Sequence, residues 1–511
     1  MRTLVHYLEI LSELHQRFAG LSSDSLLDTA AQAEDTLTRW TADYMAHATD
    51  TSLQALLEAG MQRTYSADPG EIFFTGGGQQ TFANFDSTEN PQVYSVHDAF
   101  QNSINLSFVR LMRDEVNFHI AQRVSPKKIF GADSPARRRY LESFALRDGE
   151  TFLFRFFEEY RDSSSFEGGT APETFLDNLS RGGSYRLASA YRYLYPDSGV
   201  PGFESFVLDT LGDSLQSAAD LRNIFNRIAS HSDWTLADYG FSAGVHPLEL
   251  WLVRYLGAHP NASWSEVTSA ARQPILDSYD WIFRISPSLQ NEHIHTALET
   301  EAFSEIHRAW KRLGYPFGSL VPSLGTAIGS SADRPNALAD LMGILLNEGR
   351  HYPSSMVQRL HFAAGTPYET VFSRSPGSVD TLLSPEICRI VREAMVDVVD
   401  NGTAARGKDA FRQPDGTLIP LGGKTGTGDQ RYDTFGSKGE ILNSRVVNRT
   451  ATFVFFLGDR FFGALTVYVQ GPQAANYGFT SALPVSVLVL LRPYLMPLLS
   501  HPPAPQVVEA L

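Results

Sequence analysis

Gly422-Gly423-Lys424-Thr425-Gly426-Thr427-Gly428-Asp429 is the stretch on which the reading of this 511-residue chain turns. Its glycines let a backbone approach another chain closely, while its lysine and threonines supply a cation and hydroxyls. A Lys-Thr-Gly triplet alone recurs by chance, and a glycine-rich turn with a solvated lysine would account for it equally well. The surroundings decide. Upstream, Ser384-Pro385-Glu386 opens a helix with proline at the first helical position, and that helix runs to about Val399. Asn401-Gly402-Thr403-Ala404 follows it. Downstream, Thr450–Leu457 and Phe461–Gln470 are rich in Val, Phe, Thr and Tyr and flank Gly458-Asp459-Arg460, a pattern that predicts a hairpin. A last helix over 484–496 would lie on that sheet. The proline-bearing tail from His501 is expected to fray.

Composition bounds the rest. With 43% hydrophobic and 19% charged residues, the chain is globular rather than disordered. Its length predicts more than one domain. A net charge of −15 argues against a general nucleic-acid binder, and against an anionic membrane surface as partner. The single cysteine, Cys388, excludes an intrachain disulfide, an iron–sulfur cluster and a multi-cysteine zinc site. No apolar run of about 18 residues is uninterrupted; the best candidate, 483–499, is broken by Pro484, Arg492, Pro493 and Pro497. No membrane segment is therefore expected in this chain, and no secretion signal follows Met1. Glu292-His293-Ile294-His295 lacks the spacing of a zinc helix, and Leu418 stands where a phosphate loop ending at Lys424 needs glycine. No metal and no cofactor are expected.

Helical periodicity covers residues 21–63 and Val96 to Val116, with Ala99, Phe100, Ile104, Phe108, Leu111 and Met112 apolar in the latter. Phe73-Phe74-Thr75 is a short apolar run closed by Gly76-Gly77-Gly78. Residues 121–312 differ in texture, with helical patterns at 150–160, 185–194, 218–229, 265–283 and 296–312 and loop signals at Gly168-Gly169 and Gly182-Gly183. Leu338–Leu346 predicts a helix that Asn347-Glu348-Gly349 stops. At the start of the chain Leu4, Leu8, Leu11, Leu14 and Phe18 recur at helical spacing, widened by Val5, Tyr7 and Ile10. That is a core helix beginning at the first residue. It is either an ordinary start capped by Thr3 or the entry of a chain that begins inside a domain.

Taken together these segments resemble the transpeptidase domain of class A penicillin-binding proteins. There a helix ends in Gly-Thr-Ala and an edge strand carries Lys-Thr-Gly, a triplet shared with serine β-lactamases. Pro322-Ser323-Leu324-Gly325-Thr326-Ala327-Ile328-Gly329 is similar to the family's "Pro-Ser-Leu" segment, and Asn347-Glu348-Gly349 to its Asn-x-Gly helix end. Phe82-Ala83-Asn84-Phe85-Asp86 is similar to its Asn-Tyr-Asp stretch, and Ser103-Ile104-Asn105 to Ser-x-Asn. The matches cover about 65–120 and 314–495, in the family's order. The implied fold is α/β (α+β): an antiparallel sheet flanked by helices, interrupted by a large, mostly helical insertion. The implied organisation is 1–120 and 313–499 as two parts of one transpeptidase-like domain, 121–312 as the insertion and 500–511 as a tail.

The resemblance also implies roles. Acyl transfer from a D-Ala-D-Ala peptide needs an activated serine, a base, a proton path and an oxyanion hole. Ser103 would relay a proton to the leaving group, Asn105 would hold the substrate backbone and a catalytic lysine, and Lys424 would face the peptide carboxylate. Thr425 and Thr427 would offer it hydroxyls, Gly426 would admit the substrate strand, and a backbone N–H near Thr427 would serve the oxyanion. The implied partners are the peptidoglycan stem peptide, β-lactams and other cell-wall synthesis proteins. The implied location is periplasmic or extracytoplasmic.

Three departures accompany the resemblance. The family's nucleophile motif, Ser-x-x-Lys, occurs here only as Ser125-Pro126-Lys127-Lys128, after Ser103 rather than before it, and reads better as a basic loop cap. Arg2 to Glu9 resembles the helix that follows Ser-x-x-Lys with its first turn removed. The expectation is therefore that the serine and lysine precede Met1, in a longer, membrane-anchored protein carrying a glycosyltransferase domain, or in a gene with a misplaced start or frameshift. Next, the interval between Ser103 and Lys424 is far longer than the family's, which is why 121–312 reads as an insertion; its aromatic content reads as a helical core of its own rather than a docking face, and a partner loop at Arg181–Arg186 is the weaker reading of that segment. Last, Asp429, Arg431, Tyr432 and Asp433 replace an aromatic pattern expected after the triplet. Two readings follow. One is a DD-transpeptidase, inactive as this chain stands; the other is a nucleophile-less peptidoglycan-binding or scaffolding pseudoenzyme. A serine hydrolase of the β-lactamase or esterase kind is a weaker third.

Overall fold

The computed structural model describes residues 1–130, 135–167, 170–179, 183–211, 218–354, 357, 359–373, 379–435 and 441–500, without the side chains of 162–167, 209–211, 218, 430–435, 441–444, 472 and 500. The expected frayed tail, the Gly168-Gly169 loop, Arg181-Gly182 and the side chains of Arg431, Tyr432 and Asp433 lie outside the described residues. The fold is α+β. The chain forms two compact units, one of residues 1–126 and 298–511, the other of 127–297.

In the first unit α1 (Arg2–Phe18) is the central helix, with Leu4, Val5, Tyr7, Leu8, Leu11 and Leu14 wholly buried. It packs against α3 (Thr36–His47), α4 (Leu53–Met61), α6 (Asn105–Arg123) and α19 (Pro385–Asp400), with α2 (Ser23–Gln32) beside α3. Thr3 lies inside α1. Met1 holds the cap position, and no side chain bonds to the first turn. α5 (Val96–Asn102) precedes α6, so the single helix expected over 96–116 is two. The break is Ser103, at φ 60° and ψ 43°, which ends α5 and redirects the chain.

The main sheet has the order β11–β10–β9, all antiparallel: β9 (Leu421–Phe435), β10 (Ile441–Leu457) and β11 (Phe461–Gln470). α18 (Pro335–Leu346), α19 and α20 (Ala482–Leu490) pack on it. Phe453, Val454, Phe455, Phe456 and Leu457 supply its buried aromatic and aliphatic ladder. α19 starts as its Ser-Pro-Glu entry predicts, with Ser384 Oγ accepting from Ile387 N–H at 3.4 Å. The expected last helix is two, α20 and α21 (Arg492–Ser500), bent by 63°. No single helix among the described residues is long and apolar enough to cross a membrane; the bent pair reaches that composition only together.

Short antiparallel pairs complete this unit: β1 (Thr64–Ser66) with β4 (Val93–Ser95), β2 (Phe73–Thr75) with β3 (Gly78–Gln80), β5 (Arg350–His351) with β8 (Asp380–Thr381), and β6 (Arg359–Phe362) with β7 (Thr370–Ser373). The Pro322–Gly329 segment is tied to the β2–β3 turn. Leu324 N–H donates to Thr75 Oγ1 at 2.8 Å, the Thr75 hydroxyl donates to the buried Glu299 carboxylate, and that carboxylate also accepts from Gly76 N–H at 2.9 Å.

The second unit is helical: α7 (Pro126–Phe130), α8 (Pro135–Glu167), α9 (Ala171–Leu179), α10 (Ser184–Leu194), α11 (Val200–Leu211), α12 (Ala218–Ala229), α13 (Leu236–Ala243), α14 (Pro247–Ala258), α15 (Trp264–Ser278), α16 (Asp280–Arg284) and the start of α17 (Pro287–Arg312). The pattern at 265–283 thus divides into α15 and α16 at Tyr279. Its core is aromatic, with Tyr191, Phe203 and Phe225 packed together. Buried polar groups there are paired: Tyr160 donates to Glu249 at 2.7 Å and Tyr279 to Asp148 at 2.6 Å. The unit's limits, 127 and 297, fall inside the 121–312 block marked by sequence texture.

Candidate active site

Ser103 and Lys424, 321 positions apart, meet: Lys424 Nζ donates to Ser103 Oγ. Each is positioned by its element. Ser95 Oγ caps α5 by accepting from Asp98 N–H at 2.9 Å, and α5 ends in the left-handed Ser103. That conformation is sparsely populated for a residue with a Cβ and is held only where surroundings enforce it. Lys424 comes from β9, in register with Val454 of β10. Its Nζ also donates to Thr425 O at 3.2 Å and sits 5.5 Å from the centre of the Phe100 ring. Burial pushes the Lys424 amine down to about 8. An amine in that range exchanges its proton near neutral pH, as a proton relay requires.

The amino group of Met1 shares this field. It is held down to about 5, first by burial and then by the cations of Lys424 and Arg2. The N-terminal end of α1 is therefore within electrostatic reach of Lys424. Arg2 is anchored by Asp333, at 2.5 Å, and by the Leu313 carbonyl at 3.0 Å.

β9 is an edge strand of its sheet. Alternation puts Lys424, Gly426 and Gly428 on one face and Thr425 and Thr427 on the other. A Cβ added at Gly426 would meet no heavy atom within 4 Å, so the strand is open there. Thr425 is buried and its hydroxyl pairs with that of Thr403 at 2.6 Å. Thr403 is set by a tight approach: a Cβ on Gly402 would come within 2.4 Å of Gln101 O. Thr427 Oγ1 accepts from Ser481 N–H at 2.9 Å. Asn105 Nδ2 donates to Ala83 O at 3.0 Å, and Asn84 Oδ1 accepts from Leu106 N–H at 3.0 Å.

The structure thus joins Ser103 to Lys424, while it turns the Asn105 amide and the Thr425 and Thr427 hydroxyls to the protein's own groups. Thr403, Phe100, Asn84 and the Met1 amine are additions to the residues singled out by sequence. Thr403 and Asn84 sit within motifs already quoted, and Phe100 within the apolar pattern of 96–116; no sequence signal tied Phe100 or the Met1 amine to Lys424. Ser125, with the spacing of a nucleophile motif, donates its hydroxyl to Glu34 Oε1 at 2.6 Å. Cys388 is buried in α19 and its thiol is pushed up to about 12 by burial, so it is no nucleophile. Among the described residues no group of three or more His, Cys, Asp or Glu is placed to hold a metal ion.

A second cluster of ionisable groups lies between α1 and α6. His6 Nε2 and His119 Nε2 are 2.9 Å apart, with ring planes within 4° and centroids 5.2 Å apart, so the rings meet tip to tip. One N–H must donate to the other nitrogen's lone pair. His6 Nδ1 lies 3.8 Å from Glu9 Oε2, and Arg312 pairs with the same carboxylate. Burial, then the neighbouring His6, Arg123 and Arg308, push His119 down to about 3. One turn earlier on α6, Glu115 is wholly buried with neither oxygen hydrogen-bonded, and burial pushes its carboxyl well above the usual range.

No protein-family model matches the chain, and no curated protein sequence matches it. Solved structures similar to it include the D,D-transpeptidase domain of a peptidoglycan glycosyltransferase from Eggerthella lenta (14% identity, TM-score 0.32, 86% of this chain and 63% of that one). Penicillin-binding protein A from M. tuberculosis, a ceftriaxone acyl-enzyme complex, is another (17%, 0.27, 38% and 44%). A peptidoglycan synthetase from Bifidobacterium adolescentis is a third (13%, 0.21, 34% and 28%). The match spans less than two thirds of the length of each of these chains.

Proposed function

We propose that the unit of residues 1–126 and 298–511 is a penicillin-binding transpeptidase unit that holds the D-Ala-D-Ala end of a peptidoglycan stem peptide along the open edge of β9. The observation that carries this reading is the Lys424–Ser103 contact, with the lysine brought near neutrality beside the open strand. Lys424 would face the peptide's terminal carboxylate, and Ser103 would pass a proton to the departing D-Ala nitrogen. In the full reaction a serine hydroxyl adds to the penultimate D-Ala carbonyl and gives its proton to a base. The peptide C–N bond breaks as the leaving amine gains a proton, and the acyl-serine is then taken by an amino group of a second peptide, which loses one. Among the described residues the serine hydrogen-bonded to Lys424 is Ser103, to which this reading gives the proton relay, so the reading is of a unit that binds without turning over. The same proposal puts such a protein outside the cytoplasmic membrane, working with other cell-wall proteins.

One observation favours the second reading, a peptide-holding scaffold. Asn105 and Thr425 are bonded within the protein, as is Lys424 to Ser103 and the Thr425 carbonyl, which leaves the β9 backbone and the exposed Thr427 hydroxyl as the ready contacts for ligand.

The test is intact-mass analysis after incubation with a β-lactam, with isothermal titration of a diacyl-Lys-D-Ala-D-Ala peptide beside it. We expect no covalent adduct and a peptide affinity that Lys424→Gln removes. A stoichiometric adduct on any serine of residues 1–511 refutes the absence of a nucleophile. Peptide binding unchanged by Lys424→Gln refutes the site. A variant with one helical turn carrying Ser-Xaa-Xaa-Lys added before Met1 separates the two readings, since only the enzyme reading predicts acylation of the added serine.

A further inference from the structure

Away from the Ser103–Lys424 pair, α18, α19, α21, the segment leading into β9, β10 and the β10–β11 turn line an open cavity of about 520 Å³. That is the size of a small-molecule site. One part of its wall is apolar, built from Leu346 at the end of α18, Val396 on α19, Ile419 before β9 and Phe456 of β10, and the carboxylates of Glu393 and Asp459 also line it. Three guanidinium groups reach it, and two are already engaged. Arg389 pairs with Glu58 at 3.0 Å and Glu393 at 3.1 Å, and Arg460 donates to the Leu498 and Leu499 carbonyls at 3.2 and 2.9 Å. Arg392, one turn beyond Arg389 on α19, makes no hydrogen bond or ion pair among the described residues.

We propose that this cavity binds a small apolar molecule carrying one carboxylate, with its chain against Leu346, Val396, Ile419 and Phe456 and its carboxylate on Arg392. A guanidinium offers two parallel N–H donors to a carboxylate, and an apolar wall strengthens that pairing by excluding water. An aliphatic tail supplies the area that buries the wall. A neutral alcohol would lose the ion pair and keep the tail contacts; a cationic amphiphile would meet the unpaired Arg392, with Glu393 already held by Arg389. The cavity also has a route to the site. α19, which carries Arg392, runs directly into Gly402-Thr403, whose hydroxyl holds Thr425 beside Lys424.

The experiment uses the full chain and three probes of equal chain length: decanoate kept below its micelle concentration, decanol, and decyltrimethylammonium. Titration calorimetry reads affinity. We expect decanoate to bind about tenfold more tightly than decanol, and the cation not to bind. Arg392→Gln should shrink the decanoate–decanol gap to about twofold or less, and Arg392→Lys should keep part of it. Arg392 is half-buried and makes no hydrogen bond or ion pair among the described residues, so thermal unfolding of Arg392→Gln should match the parent and exclude misfolding. Equal affinity for decanoate and decanol, no decanoate binding up to about 1 mM, or a gap unchanged in Arg392→Gln would each overturn the proposal.

Discussion

The α1–α6 interface makes a pH-dependence prediction with two opposing parts. His119 is held down to about 3 in the fold against an ordinary 6.5. Between those values the unfolded chain binds a proton there and the folded chain does not, so this group makes stability fall as pH drops below 6.5. Glu115 acts the other way. Its carboxyl is raised well above 4.5, so above that value the fold holds a proton the unfolded chain has released, and stability falls as pH rises. One proton of difference is worth about 1.4 kcal/mol per pH unit. Over the shared window of pH 4.5 to 6.5 the two oppose each other, and the Met1 amine, held down to about 5, adds to the His119 part above pH 5. His119→Phe removes the histidine part, so relative to the parent its stability should fall by about 2–3 kcal/mol more from pH 4.5 to 6.5. Glu115→Gln removes the opposing part, so relative to the parent its stability should rise more steeply across the same window. Hydrogen exchange of α1 and α6 peptides reads the opening free energy of this interface without interference from the helical unit. His259→Gln, on an exposed helix end, is the control. Parallel profiles for parent, His119→Phe and Glu115→Gln would refute the assignment of these groups.

Three shorter predictions concern the site. The ¹³Cε resonance of Lys424 should titrate with a midpoint near 8; a midpoint in the ordinary lysine range would mean that it is solvated. Gly426→Val should leave the melting temperature within about 2 °C of the parent, since no heavy atom stands within 4 Å of the new Cβ, yet it should abolish titration of the D-Ala-D-Ala peptide. Gly402→Ala should destabilise by about 1–3 kcal/mol in urea unfolding, because its Cβ meets the Gln101 carbonyl at 2.4 Å and the backbone must move.

The sheet was legible because its signals are local. Alternating Val, Phe, Thr and Tyr over 450–457 and 461–470 and the turn at 458–460 specify β10 and β11, and Ser-Pro-Glu specifies the start of α19. The break at Ser103 was not legible, because a serine in the left-handed region reflects its tertiary setting, here the contact with Lys424, and not its own propensity. The bend between α20 and α21 was hidden by an apolar run whose prolines read only as interruptions. In the candidate site, motif order brought Ser103 and Lys424 to attention together. The spending of Thr425 on Thr403, the approach of Met1 to Lys424 and the His6–His119 pair join residues 22 to 423 positions apart in sequence, and no periodicity encodes such pairings.

The helical unit offers a last prediction. It leaves the first unit after α6 and the chain returns in α17, and the two points of passage are tied together: Arg123 of α6 pairs with Glu301 at 3.3 Å and Glu305 at 3.6 Å of α17. Adjacent exit and entry points are the geometry at which insertions are tolerated, because a short linker closes the same gap at small entropic cost. The buried network on either side does not use residues 127–297: Arg2 meets Asp333, Glu299 holds Thr75 and Gly76, and Lys424 meets Ser103 within the first unit. Replacing 127–297 with about six Gly/Ser residues should therefore leave a folded protein in which Lys424 still titrates near 8 and the D-Ala-D-Ala peptide still binds. A folded product with a normal lysine would assign the helical unit a part in shaping the site. An unfolded product would refute the independence of the first unit.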